Sequence, residues 1–173
     1  MAGQDFSTRV LGSDDSVIHT GKLPDLVAAT DAMVAQAQES VRILSHDTEP
    51  ELYDREEFTA LLRSLISRRS KVAKVRILIR NPARAVQRTH RLVMLWHRFP
   101  SFIELRELRD EYAKTREAFM LVDDIGLIRR PEFENPAAVV TFRNLATARD
   151  RAAWFDEAFA RGAASRALRR LSL

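Results

Sequence analysis

The sequence predicts an α/β domain, a mixed sheet flanked by helices on both faces. Three observations lead there: short β-branched runs alternate with segments of helical period, the early order is strand, helix, strand, helix, strand, and no glycine-serine linker divides the chain. At 173 residues, one continuous core can be buried without covalent staples, and residues 1–173 are expected to form a single domain.

The elements follow in order. Residues 1–15 are polar, hold Asp14 and Asp15, and are expected to be a flexible lead-in. A first helix is predicted over about Asp25 to Gln38. Ser40-Val-Arg-Ile-Leu-Ser-His46 then reads as a strand. Asp54, with Glu57 three residues on, forms a capping box for a second helix, in which Phe58, Leu61, Leu62, Leu65 and Ile66 recur at helical spacing. Lys74-Val-Arg-Ile-Leu-Ile-Arg80 is the next strand. It shares Val-Arg-Ile-Leu with the first, which reads as common strand chemistry, since the flanking residues do not recur. Asn81 suits an N-cap and Pro82 a first helical position, so a third helix is predicted from there to about Phe99. Further strands are expected near Ile103 to Arg106, Ala118 to Asp123, Leu127 to Arg130 and Ala138 to Phe142. A last helix follows Asn144 and reaches toward Leu171.

Composition narrows the function classes. Cysteine is absent, which removes disulfides, thiolate metal sites and cysteine nucleophiles. No apolar run approaches the roughly 20 residues of a membrane span, so no membrane partner and a cytoplasmic location are expected. The net charge of +4 conceals a strong asymmetry: residues 1–57 carry 12 acids and 4 bases, whereas residues 58–173 carry 12 acids and 24 bases. Residues 58–103 hold 11 Lys or Arg and no Asp or Glu. An anionic partner explains this stretch. Packing against the acidic first third explains it equally well.

The stretch Arg116-Glu-Ala-Phe-Met-Leu-Val-Asp-Asp-Ile-Gly-Leu-Ile128 resembles the motif region of the phospholipase-D-like superfamily: a hydrophobic strand, an acidic turn and a return strand. That family carries His-x-Lys, four further residues and Asp here. Aligned on Asp123, the His and Lys positions hold Arg116 and Ala118; aligned on Asp124, they hold Glu117 and Phe119. Neither register supplies the histidine that attacks phosphorus in the family, so the resemblance implies a degenerate, non-catalytic member. Residues 38–46, Tyr53-Asp54, residues 74–80 and Trp154-Phe155 are also similar to this class. More particularly, the chain resembles an uncharacterised domain found beside bacterial acyl-CoA N-acetyltransferases. The resemblance implies half of a phospholipase-D-like fold, a homodimer about a two-fold axis, and an acetyltransferase as a partner.

The residues themselves offer one principal candidate site. Arg80-Asn81-Pro-Ala-Arg84 ends a strand and opens a helix, which places guanidinium groups and backbone N–H donors where open α/β sheets hold ligands. Arg84, Arg88, Arg91 and Arg98 would share one helical face, although an ordinary amphipathic helix has the same stripe. His90 and His97 fall on the opposite face about 10 Å apart, too far for one metal, with His90 nearer the site. His46-Asp47 ends the neighbouring strand and could act as an acid-base pair or as a turn. Arg106 and Arg116 are expected to join them. Asp123-Asp124 reads as a turn between strands, and Arg161, Arg166, Arg169 and Arg170 as a basic tail. No metal and no cofactor are expected.

Three classes of function remain open: a non-catalytic binding or regulatory domain for a phosphate-bearing ligand or nucleic acid; a self-associating or accessory interaction domain; and a hydrolase built on His46 and Asp47.

Overall fold

A computed structural model of the chain describes residues 3–87 and 90–169. Seven strands form one mixed sheet in the order β1-β7-β6-β5-β2-β3-β4: β1 Val17–Thr20, β2 Ser40–Ser45, β3 Lys74–Ile79, β4 Ile103–Glu107, β5 Ala118–Val122, β6 Gly126–Arg130 and β7 Ala138–Thr141. β2, β3 and β4 run parallel, and the other pairings are antiparallel. Helices α1 (Leu23–Val34), α2 (Pro50–Tyr53), α3 (Glu56–Arg68) and α5 (Arg91–Arg98) cover one face, and α6 (Leu145–Arg161) covers the other. The alternation that makes each run a strand also sorts its side chains: Val41, Ile43, Val75, Ile77 and Ile79 enter the core on the first face, while Leu44 and Leu78 meet Phe155 and Phe159 of α6.

The two Val-Arg-Ile-Leu strings lie side by side in register, Val41 opposite Val75 through Leu44 opposite Leu78. Arg42 and Arg76 therefore stand next to each other on the α6 face. Asp156 of α6 accepts from Arg42 Nε at 2.9 Å and meets Arg76 Nη1 at 3.0 Å, with Asp124 on the far side of Arg42.

Several expectations need correction. Residues 3–16 are a packed strap: Phe6 is 2% exposed and faces Phe142, and the Gln36 side chain holds Leu11 N–H and the Arg9 carbonyl. The strap passes so close to β6 that a Cβ at Gly126 would lie 2.6 Å from Leu11 Cδ1. Strand β1 has no counterpart in the sequence reading, because a four-residue edge run with Val17 59% exposed has little hydrophobic pattern. The capping box does not form. Arg55 occupies the N-cap without a side-chain capping bond, and Asp54 instead accepts from the backbone N–H of Arg91 at 2.8 Å. The expected single helix to Phe99 is two, α4 (Ala83–Gln87) and α5, so among the described residues Arg84 does not share a helix with Arg91 and Arg98. Arg88 lies outside the described residues. The last helix ends at Arg161 before Gly162, a short α7 (Arg166–Arg169) follows, and Arg170 and Leu171 lie outside the described residues. Asn144 caps α6 as expected, accepting from Thr147 N–H.

Candidate functional site

A cleft of about 850 Å³ opens beyond the carboxyl ends of β2 and β3. Part of its lining is the segment His46 to Glu49, which leaves β2 with Thr48 and Glu49 both at positive φ, 73° and 36°. Neither residue is glycine, so the turn is strained and must be held by its neighbours. They are visible. Ser45 Oγ donates to Glu49 Oε2 at 2.6 Å, Glu49 forms an ion pair with the buried Arg130 at the end of β6, and His90 binds the Thr48 carbonyl at 3.2 Å. His90 Nδ1 accepts from Leu92 N–H at 3.1 Å, capping α5, so the ring proton sits on Nε2 and is donated to Thr48. Burial, chiefly, holds the His90 pKa below its ordinary value, with nearby Asp54 opposing, and the ring is neutral in this arrangement.

The structure gathers His46, Asp47, Asn81, Arg84 and His90 along this cleft. It does not make His46 and Asp47 a dyad: Asp47 receives Arg84 at 2.7 Å, while the His46 ring lies flat on Phe133, centroids 4.0 Å apart. Desolvation, followed by the opposing pull of Asp47 and the push of Arg80 and Arg84, leaves the His46 pKa below normal. Arg80 and Arg116 stand at the rim, their guanidinium carbons 5.4 and 5.6 Å from the same Phe133 ring. Arg116 is neutralised by Glu132 and Glu134. Arg91 is drawn to Asp54 and Glu56. Arg106 is not at the site. It lies on the α6 face, its guanidinium carbon 4.4 Å from the Phe159 ring, and pairs with Glu104.

The electrostatics differ from the expected cationic hollow. Carboxylates of Asp47, Glu49, Glu51, Asp54 and Glu134 line the cleft, against the guanidinium groups of Arg84 and Arg130. Pairs such as Arg63 with Glu56, Arg84 with Asp47 and Arg91 with Asp54 show that part of the basic stretch neutralises the acidic first third. Arg80 is different. Half-buried, it has no carboxylate partner among the described residues, and burial together with Arg116 pushes its pKa down. Sequence reasoning missed Thr48, Glu49, Arg130 and Phe133. Arg130 carried a signal, as a charged residue ending a strand, but nothing in Pro131 to Asn135 announces Phe133.

At the positions of the resembled motif, Arg116 is tied to its two glutamates, and Glu117 meets Arg129 and Arg151. Ala118 is buried, and Phe119 packs on Trp154 and Phe155. Asp123 is a turn residue, accepting from the backbone N–H of Gln38, Glu39 and Ser40 at 2.8 to 2.9 Å. Among the described residues no group of three His, Cys, Asp or Glu could hold a metal ion, and no helix is long and apolar enough to cross a membrane.

This architecture is phospholipase-D-like. An archaeal chromatin protein, TrmBL2, described with a novel mode of DNA binding, matches at a TM-score of 0.63 and 14% identity, over 85% of this chain and 52% of its own. The chain thus spans about half of that protein. NucT from Helicobacter pylori matches at 0.58 and 12% identity, over 87% of this chain and 100% of its own. Phosphatidylserine synthase from Haemophilus influenzae Rd KW20 matches at 0.51 and 12% identity, over 79% and 36%. By sequence, the chain belongs to the family described as a domain of unknown function (DUF7931), matched over residues 22–171. No curated protein sequence matches it.

Proposed function

We propose that this protein is a non-catalytic phospholipase-D-like domain that binds a phosphate-bearing ligand at the Phe133 rim of the cleft. Arg80 carries the reading. A guanidinium that is partly desolvated and has no counter-ion among the described residues has already lost hydration, so an incoming phosphate meets a preorganised, under-compensated charge. Arg116 and the ring of His46 flank it around Phe133. The fold shared with a DNA-binding chromatin protein and a phosphatidylserine synthase is consistent with a phosphate ligand. The non-catalytic part of the reading rests on the motif positions, where Arg116, Glu117, Ala118 and Phe119 offer no phosphorus-attacking imidazole.

The test is calorimetric titration with inorganic phosphate and pyrophosphate at low salt. Binding is expected to weaken about tenfold or more in Arg80→Ala, equivalent to about 1.4 kcal/mol, with the thermal midpoint preserved. No binding by the wild type, or equal binding by the variant, removes the proposal. A chromogenic phosphodiester should not be turned over; turnover that disappears in His46→Ala would instead support the hydrolase reading.

Self-association is the second reading, and the exposed Met94 on α5 and Val17 on the open edge of β1 favour it. Light scattering is expected to give twice the mass of 19.8 kDa. A strictly monomeric species at high concentration counts against it. Service to an acetyltransferase is carried by the resemblance alone.

A further inference from the structure

The rank of carboxylates that lines the cleft inside the Arg80 rim would repel a long polyanion. At the other end of the parallel strands the balance reverses. Here α3 ends, the chain turns, and β3 begins, so that Arg68, Arg69, Lys71 and Lys74 emerge together, all exposed. The turn after α5 pairs with this corner through Val75 N–H and the Phe102 carbonyl at 2.8 Å, which brings exposed Arg98 to the same end. None of these five cations has a carboxylate partner among the described residues. Arg68 donates to the Ser64 hydroxyl and the Ala37 carbonyl, Arg69 to the Gln38 carbonyl, and Arg98 lies over Phe99.

The dipole of α3 favours Arg68 but does not account for Lys71 and Lys74, which lie beyond the helix. Two independent segments therefore supply uncompensated charge to one rigid corner. Its apolar content is small. Val72, 46% exposed, is the one exposed large hydrophobic side chain in the turn. A protein partner would ordinarily find aromatic or aliphatic anchors, and an amphipathic membrane contact would need a buried apolar face. A surface of charge without anchors suits a ligand whose affinity comes from phosphate neutralisation and counterion release.

We propose that this shoulder, from Arg68 to Lys74 with Arg98 beside it, docks the sugar-phosphate backbone of a nucleic acid, and that this surface is separate from the Arg80 cleft. Binding there is independent of base sequence, because cations on phosphates position without reading base edges.

Fluorescence anisotropy with a labelled duplex of about 20 base pairs tests it. With four or five phosphates neutralised, affinity should fall about 10²-fold as salt rises from roughly 50 to 200 mM. Lys71→Glu/Lys74→Glu should weaken binding tenfold or more and flatten the salt slope by about two, while phosphate titration at the cleft is unchanged. Both lysine side chains are exposed and have no ion-pair partner among the described residues. Should the reversal disturb folding, Lys71→Gln/Lys74→Gln should give the same change at smaller size. Unchanged affinity in both double variants, or no duplex binding at all, overturns the proposal. So does binding lost in Arg80→Ala instead, which would move the nucleic acid to the cleft, or a wild type that ignores duplex and binds anionic vesicles through these lysines.

Discussion

One imidazole joins the strained turn to the helix behind it. His90 accepts from Leu92 N–H and donates to the Thr48 carbonyl, so both ring nitrogens are committed while the ring is neutral. Protonation would end the acceptance at Nδ1. Because the folded pKa lies below the unfolded value of 6.5, the stabilising contribution is complete above that pH and is lost as pH falls through 6.5 toward the folded value. Denaturant titrations between pH 7.5 and about 5 are expected to show stability falling with pH. His46, shifted in the same direction, adds to the slope, so His90→Gln should flatten it only in part. At neutral pH that variant is expected to cost about 1 to 2 kcal/mol, from the lost cap and the lost bond to Thr48. An unaltered slope and midpoint would show that His90 only fills space.

Among the elements, the hairpin between β5 and β6 binds most of its surroundings. Asp123 and Asp124 sit at φ 54° and 55°, and the first takes three backbone N–H groups from the chain entering β2. Asp123→Ala would leave those donors to water and keep the positive φ, for an expected loss of about 2 to 4 kcal/mol, while Asp123→Asn should retain most of it. Chemical denaturation separates the two. That the pair forms a turn was readable, since Asp-Asp-Ile-Gly stands between two apolar runs. Its three long-range bonds were not, because they join residues more than 80 positions apart. The same limit explains the other departures. Strands β2 to β7 are local patterns and were legible. The extended N-cap at His90, which ends any single helix, was not, because it depends on Thr48 and Asp54 in distant segments.

For the molecule as a whole, the site was legible as a location and not as a charge state. Strand ends at His46 and Arg80 do converge, but which arginine keeps its charge uncompensated depends on carboxylates at residues 47, 54, 132 and 134, and no local pattern predicts those pairings. The strap has a similar lesson. The family match begins at residue 22, yet Phe6 and β1 complete the core and the sheet before it. Phe6→Ala is expected to cost about 3 to 5 kcal/mol, and a chain trimmed to residues 22–171 should melt well below the full chain. Equal melting temperatures would make the strap a passive covering.

The twin Val-Arg-Ile-Leu strings have one more effect. From Val41 to Leu44 each residue of β2 faces its own kind in β3, so the two guanidinium groups, which would otherwise repel, come within reach of a single carboxylate on α6. A slip of one position in either strand would turn its own arginine toward the apolar side and leave Asp156 with only the other. Misalignment of the central strands thereby carries its own penalty, set from outside the sheet by one carboxylate on α6.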